Sequence, residues 1–324
     1  MLEDDIRISG LEVSFSLIFE KDNDPFRKSV VKAAETAIHT YVDENAAVHI
    51  HTKFIKQNMA PKADSVENLR AAQVIAIHSG KGGVGKSTVT ANLALTLRNM
   101  GYRVGVLDAD IYGPSQHKMF GVEDYLPDAV QEDGNDYIVP AQSMDIELMS
   151  IGFFINPNDA LMWRGAMATN ALKQLLHQTM WGGLDFLLID MPPGTGDIHL
   201  TMISEIKMDG AVIVSTPQQV AVADVVRGVE MFRHEQVAVP VLGVVENMAW
   251  FTPKELPDNK YYIFGQGGAK RYAEEAGVPF LGEIPLIQTI MEGGECGTPT
   301  VATDTDVERY YRLVAERMIS ELFK

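Results

Sequence analysis

The segment Gly80-Lys81-Gly82-Gly83-Val84-Gly85-Lys86-Ser87-Thr88 restricts the folds open to this chain more than any other feature. It fits the phosphate-binding pattern G-x-x-x-x-G-K-[ST] and adds a second lysine, Lys81, near its start. An apolar run, Val74-Ile75-Ala76-Ile77, precedes it and predicts a strand, while Val89, Leu93, Leu97 and Met100 follow with helical spacing. Strand, glycine loop and helix in that order are the context in which the pattern binds a polyphosphate. Side chains at the glycine positions would hold the backbone away from the anion, whereas bare amides at a helix N-terminus face it. Every residue from Gly80 to Thr88 is therefore expected to bind nucleotide. Lys86 is expected to neutralise β- and γ-phosphate charge, and the Ser87 hydroxyl to hold Mg²⁺.

The remaining pattern surrounds that loop with a large α/β domain. Short apolar strands are predicted at Val104–Leu107, Phe186–Ile189, Ala211–Val214, Val241–Val245 and Phe280–Ile284, with helical patterns between them. Alternating strands and helices predict a mostly parallel sheet with helices on both faces, the phosphate-loop NTPase class, spanning residues 73–324. Residues 56–72 are polar, carry a proline and read as a linker. Residues 1–55 read as a partial small α/β unit. Leu11, Val13, Phe15, Leu17 and Phe19 alternate as one strand face. Asp24-Pro25 looks like a helix N-cap with proline at the first helical position, and Phe26, Val30, Ala34, Ala37, Ile38 and Tyr41 follow with helical spacing. Val48, Ile50, Thr52 and Phe54 alternate again. A strand, a helix and a strand bury little by themselves, so this unit is expected to be the remnant of a larger domain or to pack on a neighbour.

Composition narrows the partners. The formal net charge of −17 opposes non-specific binding to nucleic acid or to an anionic membrane, though a local basic patch stays open. No apolar run approaches the roughly 20 residues that span a bilayer. The first residues, Met1-Leu2-Glu3-Asp4-Asp5, lack the basic and apolar regions of a signal peptide. One cysteine, Cys296, forbids intramolecular disulfides and fits a reducing cytoplasm.

Carboxylates at strand ends supply the next candidates, because such positions face the ligand crevice in open α/β sheets. Asp108-Ala109-Asp110 ends one strand and Ile111-Tyr112-Gly113-Pro114-Ser115 follows. Asp110 is expected to orient or activate the attacking water. Asp108 is expected to reach Mg²⁺ through water; the other reading is that one of the two carboxylates caps the next turn. Asp190 ends Phe186–Ile189 and suits the Mg²⁺ shell. After it, Pro192-Pro193-Gly194-Thr195-Gly196-Asp197 offers glycine amides, Gly194 among them, for a γ-phosphate sensor; Asp197 either joins it or caps a helix. Asn247 ends another strand, and its side-chain amide can pair with an adenine edge. Lys81 cannot easily serve the same phosphates as Lys86. In a face-to-face dimer it could cross to the partner's nucleotide, with Asp224 holding it at rest; a solvated lysine is the other reading.

These motifs together resemble the Mrp/ApbC family of iron–sulfur cluster carriers, among the deviant phosphate-loop ATPases that include MinD, ParA and nitrogenase iron protein. The two-lysine loop, Asp108-Ala109-Asp110 with Gly113-Pro114-Ser115, and Asp190 through Asp197 carry the resemblance. Met162-Trp163-Arg164-Gly165 and Ile263-Phe264-Gly265-Gln266-Gly267-Gly268 are also similar to that subgroup. The resemblance spans residues 73–324; residues 1–55 resemble the later part of a small domain that often precedes the ATPase, so the chain is expected to start late within it.

The resemblance implies a Mg²⁺-dependent ATPase of low intrinsic rate and a homodimer with ATP near the subunit interface. It also implies a role in delivering clusters to recipient or assembly proteins, and a [4Fe-4S] cluster bridged by a Cys-x-x-Cys pair from each subunit. That pair should follow Glu246-Asn247-Met248, yet Ala249 to Lys260 contains no cysteine. Clusters are held mainly by thiolates, and Glu255 and Asp258 are hard oxygen ligands. Cys296 supplies one thiolate per subunit if it serves as a ligand; otherwise it is a small residue near the base end of the nucleotide, just after Pro285, itself expected to line that end. Cluster carriage by another arrangement, a MinD/ParA-like dimer switch without a cluster and a nucleotide-dependent scaffold without a cluster all stay open.

Lesser candidates read as structural. His49 and His51 share a strand face without a visible third ligand, so a solvated face is expected. Met144, Met149, Met162 and Met167 read as core or loop. Val307, Tyr310, Tyr311, Val314, Met318 and Leu322 form an amphipathic helix accompanied by Asp304, Asp306, Glu308, Glu316 and Glu321. That acidity predicts a docked core helix rather than a membrane tail.

Overall fold

A computed structural model describes residues 7–9, 11–19, 27–43, 46–54, 71–132, 134–154 and 165–324. The chain divides into two compact units, Met1–Ser65 and Val66–Lys324. The first holds β1 (Arg7–Ser9), β2 (Glu12–Phe19), α1 (Arg27–Tyr41) and β3 (Ala47–Phe54). β2 and β3 pair in parallel through the α1 crossover, and β1 adds an antiparallel neighbour that the sequence pattern did not reveal. Alternation decides the faces: Val13, Phe15 and Leu17 are buried, with the partly buried Val48, Ile50 and Ile38 packed against them, while His49 and His51 are exposed. Asp24-Pro25 and most of the expected linker lie outside the described residues.

The second unit begins with β4 (Ala71–His78), α2 (Lys86–Asn99), β5 (Val104–Asp108) and α3 (Gln116–Met119). A hairpin of β6 (Ala129–Glu132) and β7 (Asn135–Ile138) comes next, then β8 (Ala141–Ser143) and β9 (Ile146–Ser150). The chain continues through α4 (Gly165–Gln178), β10 (Leu184–Asp190), α5 (Asp197–Glu205), β11 (Gly210–Ser215) and α6 (Gln219–Arg233). It ends with β12 (Val241–Phe251), α7 (Gly268–Ala276), β13 (Phe280–Leu286), α8 (Gln288–Glu295) and α9 (Thr305–Leu322). β4 starts inside the segment read as linker, because Ala71 pairs in register with Leu184 of β10.

These strands form one eight-stranded sheet in the order β13-β12-β11-β4-β10-β5-β9-β8. All neighbours are parallel except the edge pair β8–β9. The first strand of the domain thus sits in the middle, and the loop after it opens at the carboxyl end of the sheet, where α/β folds bind ligands. Each central strand sends alternate residues to opposite layers. Val74 and Ala76 pack with Leu172, Leu175, Val225 and Phe232 of α4 and α6 on one side. Ile75 and Ile77 pack with Val89, Leu93, Tyr311 and Val314 of α2 and α9 on the other. Each such buried aliphatic side chain contributes about 1.5–3 kcal/mol relative to exposure. α9 is therefore a core helix that covers α2, and its acidic residues Asp306, Glu316 and Glu321 lie on the outer side. Met149 is buried in the core and Met144 partly so; Met167 falls in α4, and Met162-Trp163-Arg164 lie outside the described residues. Among the described residues no helix is long and apolar enough to cross a membrane.

Candidate nucleotide site

The glycine loop runs from β4 into α2 with no side-chain cap, so the first amides of α2 stay available for an anion. Gly85 has φ +83°, a left-handed value natural only to glycine, and a Cβ there would strike the Asn247 side-chain amide. Gly80 lies against the Asp224 backbone of α6, and a Cβ there would overlap the Asp224 carbonyl. Both glycines are required by close approach, one to β12 and one to α6.

Lys86 is buried at the centre of the site. Its ammonium forms an ion pair with Asp190, lies 3.6 Å from Asp110 Oδ2 and donates to Ser87 Oγ at 3.2 Å. Burial alone would lower its pKa, but Asp190, Asp110 and Asp108 outweigh that and raise it, so the cation is secure. Asp190 is fully buried and also accepts from Gln116 Nε2 at 2.8 Å. Gln116 in turn donates to the Ser87 carbonyl at 2.9 Å, and its own Oε1 is buried without a partner. Asp110 accepts from the Gly113 amide at 3.2 Å, and burial raises its pKa despite Lys86. The hydroxyl of Ser87, the carboxylate of Asp190 and the orphaned Gln116 oxygen are all hard donors, a set that fits Mg²⁺.

Asp108 is engaged differently. Its Oδ2 accepts from the Ser115 and Gln116 amides and from Ser150 Oγ, each at 2.9 Å. The geometry therefore favours the capping reading over a position facing the metal. Burial, reinforced by Asp190, pushes its pKa up to about 7. Asn247 is nearly buried and donates to the Val84 carbonyl at 2.8 Å, so its amide nitrogen braces the loop. Gly85, Thr88, Asn247 and Pro285 line a cleft of about 500 Å³ beside the loop, with Ile287 and Met291 supplying apolar wall. Its size and mixed lining suit a nucleoside.

One expected contact is replaced. Asp224 pairs with Arg227, three residues on along α6, and not with Lys81, which is exposed. A neighbour on the same helix face is always within reach, whereas a loop lysine must cross solvent. Cys296 is exposed just after α8 and lines a separate hollow with Thr298, Thr300 and Asp304, next to but not within the cleft. Gln116 and His199 escaped the sequence reading. Gln116 directly follows the noted Gly113-Pro114-Ser115; His199 lies two residues past Asp197 and carried no local signal.

Comparison with known proteins agrees with this geometry. The family model described as ParA, NUBPL iron-transfer P-loop NTPase, matches residues 70–319. The iron–sulfur cluster carrier protein of Synechocystis is 41% identical over 303 residues, 93% of this chain and 85% of its own length. That of Haemophilus influenzae is 45% identical over 270 residues, 83% of this chain and 70% of its own. Among solved structures, a nucleotide-binding protein of Archaeoglobus fulgidus in complex with ADP superposes with a TM-score of 0.63 at 38% identity, covering 76% of this chain and 92% of that one. Pyrococcus furiosus MinD, at 23% identity and a TM-score of 0.56, covers 77% of this chain and 99% of its own and shares the fold. With the loop, its carboxylates and its sheet in place, and the match extending over residues 70–319, this chain belongs to the ParA-type, NUBPL iron-transfer family of P-loop NTPases.

Proposed function

We propose that the protein is an ATP-hydrolysing iron–sulfur cluster carrier that works as a homodimer in the cytoplasm and delivers clusters to recipient or assembly proteins. The observation that carries the ATPase half is the convergence of Asp190, Asp110 and Ser87 on Lys86 at the mouth of the loop. The carrier half rests on relatives named iron–sulfur cluster carrier proteins at 41% and 45% identity.

Lys86 leaves its carboxylates for the phosphates when nucleotide enters, and the loop amides bind the same oxygens. Bound Mg²⁺ supplies neutralisation of β- and γ-phosphate charge. Ser87 and Asp190 would hold that ion, directly or through water, with Gln116 fixing Asp190. Asp110 orients the attacking water and accepts its proton. Turnover is slow until a second subunit supplies Lys81. Asp110→Ala should retain nucleotide affinity and lose turnover about 100-fold; a phosphate-release assay with unchanged turnover would remove Asp110 from this role.

The cluster is cargo. Cys296 is the single thiol of the chain, so a dimer offers two thiolates, fewer than the four that usually hold a cluster. The lack of a Cys-x-x-Cys pair after Asn247 favours one second reading, a MinD/ParA-like dimer switch that binds no cluster. Anaerobic reconstitution, with iron and sulfide counted per dimer in the wild type and in Cys296→Ser, separates the two. Stoichiometric cluster lost in the variant supports carriage through Cys296, and cluster in both supports carriage through other ligands. Hydrolysis without cluster in either leaves the switch.

A further inference from the structure

The loop between β10 and α5 is tied down by one imidazole. His199, on the first turn of α5, accepts from the Gly196 amide through Nδ1 at 3.0 Å and donates from Nε2 to the Pro192 carbonyl at 2.8 Å. With Nδ1 accepting, the ring proton resides on Nε2, so a neutral histidine satisfies both bonds at once. Burial lowers the pKa of His199 and keeps it in that neutral form. Behind it stands His78, the last residue of β4, fully buried, with its ring centroid 5.3 Å away at 90°. Among the described residues His78 makes no hydrogen bond through either ring nitrogen, and it is wedged between His199 and Phe232 of α6.

Between the two tethered positions the loop has a different character. Gly194 has φ +95°, and a Cβ there would meet nothing within 4 Å. Its amide donates to the Ser79 carbonyl at 2.9 Å, at the entrance of the phosphate loop. Among the described residues, residues 193–195 are held by one backbone bond, whereas both flanks converge on His199.

We propose that His199, backed by His78, is the positioning residue of the γ-phosphate sensor: it fixes Pro192 and Gly196 so that only Pro193-Gly194-Thr195 rearranges when the Gly194 amide trades the Ser79 carbonyl for a phosphate oxygen. The inference rests on the nucleotide-hydrolysis reading above. A sensor must distinguish ATP from ADP, and a hinge with two fixed ends turns one amide's exchange of partner into a discrete change rather than general loosening. His199 touches neither nucleotide nor water in this scheme and is not a catalytic residue.

The test compares His199→Ala and His199→Gln with the wild type in the full chain. It measures Mg²⁺-ADP affinity, affinity for a non-hydrolysable ATP analogue and steady-state turnover. Glutamine at this helix position can still accept from the Gly196 amide, as in a capping box. His199→Ala is expected to keep ADP affinity within about twofold while losing about tenfold in its preference for the analogue and in kcat, as suits two lost hydrogen bonds. His199→Gln is expected to recover most of both. Equal preference for the analogue in His199→Ala and the wild type would overturn the proposal. So would parallel losses of ADP and analogue affinity, or a glutamine variant as impaired as alanine. If the wild type binds both nucleotides and does not hydrolyse ATP, the function proposed above fails, while the affinity ratio still decides the role of His199.

Discussion

Lys86 is a buried cation with more negative charge around it than it can neutralise alone, since Asp190 and Asp110 both face it. Lys86→Ala should abolish ATP binding in calorimetry and also cost about 3–5 kcal/mol in urea unfolding, because it strands buried carboxylates. His78 gives a second residue-scale expectation. Burial, with His199 and Lys86 nearby, lowers its pKa from 6.5 to about 3. The unfolded chain then binds the proton more tightly, so stability is complete above about pH 6.5 and is lost as pH falls from there toward 3. At pH 5 the contribution of this one group amounts to about 2 kcal/mol. His78→Leu should lose less stability than the wild type between pH 7.5 and pH 5 in matched urea titrations, and an equal loss would show that His78 is not the acid-sensitive group. Asp108 works in the opposite sense: raised to about 7, it holds its proton more tightly when folded, so its ionisation costs stability as pH climbs from about 4 to 7. The types and places of Lys86, Asp110 and Asp190 were legible because strand ends after apolar runs are a local pattern. Gln116, His78 and His199 were not, because each acts through a partner far along the chain or inside the core.

At the scale of elements, Glu246 shows how a strand positions a helix. It is fully buried in β12 and accepts from the amides of Gly267, Ala269 and Lys270 at 3.1, 2.8 and 3.4 Å, which secures the N-terminus of α7. The next residue is Asn247, which braces the phosphate loop. Glu246→Ala should lower stability by about 1–3 kcal/mol and weaken nucleotide binding through Asn247, whereas Glu246→Gln should retain most of both, as calorimetry and thermal melts would record. If alanine weakened neither property, α7 would be held by packing alone. The long apolar strands of the sheet and the amphipathic α9 were legible from periodicity. β8 and β9 were not: β8 is three residues long, and β9 is specified by its pairing with β5, Val104 opposite Ile146, rather than by its own composition. The start of β4 likewise depends on Leu184, more than a hundred positions away.

For the whole molecule, the two-lysine loop makes its own demand. Lys81 is exposed on the loop while Asp224 is paired with Arg227, so the second lysine is available to another subunit. Lys81→Ala should bind ADP within about threefold of the wild type and fail to dimerise with a non-hydrolysable ATP analogue in sedimentation velocity, a loss of one charge-assisted contact per site. Undiminished dimerisation would leave Lys81 a surface residue. The strongly acidic chain, with a formal charge of −17, makes such a specific cation more important to self-association, since like-charged copies otherwise repel. The sequence by itself determined that this chain is an α/β phosphate-loop protein, because strand, glycine loop and helix are specified by residues within reach of one another, and alternation or helical spacing reports which faces are buried. Only the tertiary structure decided that Asp108 caps α3, that Asn247 grips Val84, that Asp224 belongs to Arg227 and that one histidine ties both ends of the Asp190 loop. Those choices depend on which side chains the parallel sheet brings to its carboxyl edge, and strand order is set by packing across the whole core rather than by any local stretch of residues.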